Sequence, residues 1–225
     1  MTTTRPSLRR PRHRPALSRS KGGVLLCALL ALAALPAAAQ DTSPWQTLDA
    51  LRSALIAAGP TRADFTQTYI PAGFSSGETE RGTMALALPE CLRWDYEEPY
   101  AKSYLLCGER AHYWNADDAA GRRYAVDREE EPGLDLLMLS LDTLRGRYTA
   151  TQEAAGDGTL RVTLVPVDGA GTLAEASLLV ADGRRLSGVT YRDREGNLTR
   201  FAIGDARPLE ADGVFEPPAG IRWHD

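Results

Sequence analysis

Residues Cys91–Cys107 read CLRWDYEEPYAKSYLLC. Glu97-Glu98-Pro99-Tyr100 has the chemistry of a tight turn, and the flanking residues alternate between apolar or aromatic and polar types, so the stretch reads as an antiparallel hairpin. A turn symmetric about Pro99 pairs positions whose numbers sum to 198. Leu92 then faces Leu106 and Trp94 faces Tyr104, all on one side, while Arg93, Asp95 and both cysteines share the other. Cys91 falls opposite Cys107, and opposed strand residues lie about 4.5–5.5 Å apart at Cα, within disulfide range. In an oxidising compartment the bond is expected to form. The alternative is a pair of small buried hydrophobes.

The same grammar extends outward. Residues 62–70, 82–88, 91–96, 101–107, 111–115 and 122–127 are short alternating segments, and 147–152, 160–166, 175–181, 184–192 and 197–203 follow. Asp157-Gly158, Asp182-Gly183 and Asp193-Arg194-Glu195-Gly196 supply turns between several of them. Connections this short exclude most parallel crossovers, so about eleven strands should form an antiparallel sheet. On the strand before the hairpin Met84, Leu86 and Leu88 alternate, and Pro89 is placed to insert a bulge that shifts parity. Ser43-Pro44-Trp45-Gln46 announces a helix, with a serine N-cap, proline at the first turn and Gln closing a capping box. Trp45, Leu48, Leu51, Leu55 and Ala58 recur at helical spacing before Gly59-Pro60 ends it. A second helix is predicted over LDLLMLSLDTL (Leu134–Leu144).

Of 225 residues, 43% are hydrophobic and 25% charged, the balance of a globular protein. The net charge of −4 hides an asymmetry: residues 1–39 hold seven Lys and Arg and no acid, leaving 19 cations against 30 anions, net −11, in residues 40–225. Lys102 is the one lysine of that body. Such a field excludes nucleic acid as a partner and repels anionic membrane surfaces. Basic residues 5–21, the apolar run Val24–Leu35 and Ala37-Ala38-Ala39 predict a signal peptide over 1–39, and 40–225 is then one exported domain. The apolar run is too short to span a bilayer.

Catalytic readings are poorly supplied. Beyond residue 39 the histidines are His112 and His224, with no cysteine or carboxylate at ligand spacing, so no metal is expected. Gly73-Phe74-Ser75-Ser76-Gly77 matches the G-x-S-x-G nucleophile elbow, which would make Ser75 the nucleophile of a serine hydrolase. That elbow needs a strand-to-helix turn, whereas another strand follows here, and a polar hairpin loop is the better reading. Asp117-Asp118 and Glu129-Glu130-Glu131 read as solvated charge clusters.

The hairpin and its neighbours present one aromatic and aliphatic sheet face. The second helix places Leu134, Leu137, Met138, Leu141 and Leu144 on one side, yet Leu136 and Leu139 lie off it. That is more apolar surface than one-sided packing needs. Two readings fit: a fully packed core, or a curved sheet with a helical lid over a lipid-sized cavity.

Ala63-Asp64-Phe65-Thr66-Gln67, Gly82 at a strand start, Leu92-Arg93-Trp94-Asp95-Tyr96-Glu97-Glu98-Pro99, Cys107-Gly108 in place of Asp-Gly, Tyr113-Trp114-Asn115 and the closing Phe215-Glu216-Pro217-Pro218-Ala219-Gly220 resemble the LolA family of periplasmic lipoprotein carriers. The order holds from about residue 45 to 222. The resemblance implies a mainly β (α+β) fold, an incomplete antiparallel β-barrel closed by a helical lid, with no cofactor and no chemistry of its own. It also implies a monomer in the periplasm that takes lipoprotein acyl chains from an inner-membrane ABC transporter and delivers them to an outer-membrane receptor. A glycolipid or other lipid export intermediate is the alternative cargo. Leu88, Leu92, Trp94, Tyr104 and Leu106 would line the sheet side, and Leu51, Leu55, Leu137, Met138 and Leu141 the lid. The family's strand before the proline usually ends in an arginine that bonds lid backbone; Leu88 stands at that position here and cannot make those bonds.

Overall fold

The computed structural model describes residues 42–115, 119–126, 134–169, 171–210 and 213–225. Residues 1–39, for which a signal peptide is expected, Asp117-Asp118 and Glu129–Glu131 lie outside them. Helix α1 (Pro44–Ala57) opens the described chain, and its capping box is formed as expected. The Ser43 backbone N–H donates to Gln46 Oε1 at 2.9 Å, and the Gln46 N–H donates to Ser43 Oγ at 3.2 Å. Gly59, at φ +67°, and Pro60 then turn the chain into the sheet.

Strands β1 (Thr61–Ile70), β2 (Glu78–Ala87), β3 (Cys91–Glu98), β4 (Lys102–Cys107), β5 (Arg110–Asn115) and β6 (Ala120–Ala125) form one meander. After a 3-10 turn over Leu134–Leu137 and helix α2 (Leu141–Arg147), a second meander comprises β7 (Tyr148–Gly156), β8 (Thr159–Pro166), β9 (Leu173–Ala181), β10 (Arg185–Asp193) and β11 (Leu198–Ile203). Two short strands close the chain, β12 (Arg207–Pro208) and β13 (Arg222–His224). Among the described residues these make one sheet, ordered β13-β6-β5-β4-β3-β2-β1-β11-β10-β9-β8-β7, with β12 beside β1. The meanders join along β1 and β11, where Phe65 pairs with Ile203. The edge strands β13 and β7 do not meet, so the barrel is incomplete, as the resemblance implies.

The hairpin has the anticipated register: Cys91 opposite Cys107, Leu92 opposite Leu106, Trp94 opposite Tyr104. The disulfide is formed, with Cα atoms 4.2 Å apart. Parity survives Pro89, because Met84 pairs with Trp94 and Leu86 with Leu92. The irregularity falls instead at Arg81/Gly82. There a Cβ on Gly82 would sit 1.9 Å from the Asp95 carbonyl oxygen, so the backbones approach too closely for any side chain. Gly82 lies between Phe65 and Tyr96 in register, and those rings meet edge-on at 5.0 Å across it.

Two details differ from the sequence-based expectation. The single helix over Leu134–Leu144 is two pieces, because Ser140 interrupts it: its Oγ accepts the Thr143 N–H at 3.1 Å and caps α2. The four consecutive residues Leu136–Leu139 are all buried, in keeping with the surplus of apolar surface read in that stretch. The C-terminus is the second difference, since Arg222–His224 pairs in parallel with β6.

Candidate functional site

Both meanders turn most of their apolar residues to one face. Ala63, Met84, Trp94, Tyr104 and Tyr113 form a row across β1 to β5, and Leu86, Leu92, Leu106 and Ala111 form the next. Across the seam Phe201, Val189, Leu178 and Val162 continue the apolar face. The opposite face of that half carries Thr151, Thr163, Ser177, Thr190, Arg200 and Thr68 in register. Alternation at period two has thus made one continuous dry side, with a wet side opposite it in the second meander.

The helices cover the dry side. α1 touches β7, β8, β10 and α2, and buries Thr47, Leu48 and Leu51. All ten residues anticipated for the site join one apolar cluster. Leu51, Leu92, Leu106, Leu137 and Met138 are buried in it, while Leu55, Leu88, Trp94, Tyr104 and Leu141 pack against it half-buried. Arg52 of α1 donates from Nη1 to the Leu137 carbonyl. A lid carbonyl therefore does accept from an arginine, although not from the position that Leu88 occupies. Burial lowers the Arg52 pKa below its ordinary value, partly opposed by Asp49.

Between α1 and β1, β2, β10 and β11 lies a cavity of about 160 Å³ with almost wholly apolar walls. Leu55, Ala63, Met84, Leu86, Leu186 and Ile203 line it, and Arg184 and Arg185 stand at it as charged members. Of the ten anticipated residues only Leu55 lines this cavity. The others missed it because the space is made by small residues, Ala54, Ala58, Ala63 and Gly204. A reading that looks for large apolar residues does not register where bulk is lacking.

Toward β3 to β6 the same face becomes aromatic and hydroxylated. Tyr96 meets Tyr104 at 5.8 Å and Tyr104 meets Tyr113 at 4.7 Å between ring centroids. Tyr96 donates its hydroxyl to Gln67 Oε1. Lys102 pairs with Glu80 at 2.6 Å and lies 4.6 Å from the Tyr96 ring centroid. Burial raises the Tyr96 pKa, with Glu80 adding to it, and burial with Tyr113 pushes Tyr104 up to about 12. Both phenols therefore remain neutral at ordinary pH.

The outer face of this wing is closed by the C-terminal segment. Arg93 bonds the Asp95 carboxylate at 2.9 and 3.0 Å and the Val214 carbonyl at 2.7 Å. Trp223 packs edge-on against His112 at 5.0 Å and Trp114 at 6.1 Å. Burial, then Arg110 and Arg123, lower the His112 pKa below 6.5. Unfolded chain therefore binds a proton at this site before folded chain does. The contribution of His112 is intact above the unfolded value and is lost as pH falls below it toward the lowered folded value. Between pH 7.5 and 5.5 the melting temperature should drop further in the wild type than in His112→Phe, and scanning calorimetry at both pH values measures the difference.

Ser75 lies in the exposed loop between β1 and β2. The described histidines, His112 and His224, are on β5 and β13. The loop joins two antiparallel strands and no helix follows, so the nucleophile elbow is not built.

Comparison with known proteins agrees with this geometry. The family model described as outer membrane lipoprotein carrier protein LolA matches residues 59–216. An outer-membrane lipoprotein carrier protein of Methylococcus capsulatus is 27% identical over 177 residues, covering 76% of this chain and 84% of that protein. One of Chromohalobacter salexigens is 30% identical over 167 residues, 70% of this chain and 77% of that protein. Among solved structures, an uncharacterized conserved protein from Thermus thermophilus superposes with a TM-score of 0.50 at 9% identity, over 80% of this chain and 96% of that one, a likeness of fold alone.

Proposed function

We propose, from the premise that the chain belongs to the LolA family of outer membrane lipoprotein carriers, that it holds lipoprotein acyl chains against the inner face of its sheet and moves them through the periplasm from inner to outer membrane. The family is one of carriers rather than enzymes, and the hydrolase reading of Ser75 is set aside with it. In this reading residues 1–39 are the export signal and 40–225 the carrier, working as a monomer. It receives cargo from an inner-membrane ABC transporter and yields it to an outer-membrane receptor.

The observation that carries the proposal is the apolar cavity under α1, continuous with an apolar cluster that includes all ten candidate contact residues. Each methylene moved out of water contributes about 0.8 kcal/mol, so even part of an acyl chain is held firmly. The cavity's 160 Å³ is smaller than the several hundred that enclose a drug-sized ligand. Loading therefore requires α1 and the segment around Leu136–Leu139 to move outward. Arg52 links those two elements through one hydrogen bond, which outward movement of either alone would break. Mass spectrometry of protein purified without detergent from its native compartment should find acylated peptide bound to it. Recovery of a glycolipid would favour the other cargo class, and recovery of no lipid from repeated preparations would remove the reading.

A further inference from the structure

Trp94 lies on the inner face of β3, between Met84 on β2 and Tyr104 on β4, and Met84 itself lines the apolar cavity. Its indole Nε1 is buried without a hydrogen-bond partner. The other described buried side-chain nitrogens lacking a partner, Arg62 Nε and His112 Nδ1, belong to outward-facing positions of β1 and β5. Indole is a donor only, and native folds seldom leave a buried donor unmatched. None of the nearby inner-face acceptors takes the indole proton: Gln67 Oε1 accepts from Tyr96 and Glu80 Oε1 from Lys102. Hydrocarbon tails offer no acceptor, whereas the ester that joins an acyl chain to glycerol has a carbonyl oxygen with two lone pairs.

We propose that the Trp94 indole N–H donates to the ester carbonyl of the bound lipid, fixing how deep the acyl chain sits and selecting ester-linked over ether-linked lipids. This rests on reading the inner face as an acyl-chain site. The ether oxygen that replaces the ester is a poor acceptor with no carbonyl beside it, so an ether lipid leaves the donor unmatched. A site built around a hydrogen bond rejects the ligand that cannot complete it.

The test uses residues 40–225 and two probes with equal chains, 1,2-dioleoylglycerol and 1,2-di-O-oleylglycerol, each displacing a fluorescent apolar dye. Wild type should prefer the ester by about tenfold, and Trp94→Phe, which keeps an aromatic ring in place, should erase the preference. Equal affinities in wild type would overturn the inference while leaving the acyl-chain reading intact, as expected if a water satisfies the indole. A preference that persists in Trp94→Phe would overturn it as well. Displacement by neither probe would overturn both readings together. The wild-type comparison needs no variant, so it stands even if Trp94→Phe folds poorly.

Discussion

Leu51→Ala should lower the stability of the protein by about 2–5 kcal/mol, the cost of opening a void where a buried leucine stood. Leu51 is fully buried, in the middle of α1, with the sheet beneath it and α2 alongside. The sheet beneath is fixed by its hydrogen-bond ladder and cannot collapse into the space, which favours the upper part of that range. For a chain of this size about 3 kcal/mol corresponds to roughly 6–12 °C of melting temperature. Leu55, one turn further along and only half-buried, should cost less when shortened. Thermal melts of the two variants side by side measure the contrast. A loss below about 1 kcal/mol for Leu51→Ala would mean that α1 does not seal the inner face.

The second large effect concerns the disulfide. Cys91 and Cys107 close a loop with a sequence separation of 16, for which chain entropy predicts about 3 kcal/mol of stabilisation. Replacing both cysteines by serine should move the urea midpoint down accordingly, and reducing the wild type should reproduce the shift. The sulfurs lie on the outer face, where Cys107 Sγ is 3.9 Å from the Phe215 carbonyl oxygen. Lipid affinity at a temperature where both forms are folded should therefore not change. An affinity change with the bond broken would place part of the site on the wrong side of the sheet.

The hairpin was legible because its information is local. A tight turn fixes register, and register fixes which residues oppose one another, so one proline was enough to pair the cysteines and place Trp94 beside Tyr104. The cap of α1 was legible for the same reason, since Ser43 and Gln46 answer each other within one turn. The lid was harder. Ser140 reads as one polar residue in an apolar run until its hydroxyl is seen to cap α2. The parallel strand at Arg222–His224 was out of reach, because three residues carry no period and their partners are Ala120–Arg122. Trp223 holds this strand from outside, and Gly121 makes room for it: a Cβ there would approach the Trp223 ring to 2.5 Å. The candidate contact residues were chosen for their size, and the cavity was missed because its walls include several alanines and a glycine.

The seam between β1 and β11 has a consequence for how the molecule is made. Phe65 and Ile203 are 138 positions apart, whereas most other neighbours in the sheet are joined by short turns. A chain that emerges N-terminus first can complete the β1 to β6 meander while its future partner is still unfolded. Until β11 arrives, β1 presents an open edge, ready to pair with another chain. Because its loop is long, this closure comes late and slowly. Newly made protein thus carries two free edges for a time, that of β1 until β11 arrives and that of β6 until β13 does, and a helper that shields them would raise the yield without touching the finished fold.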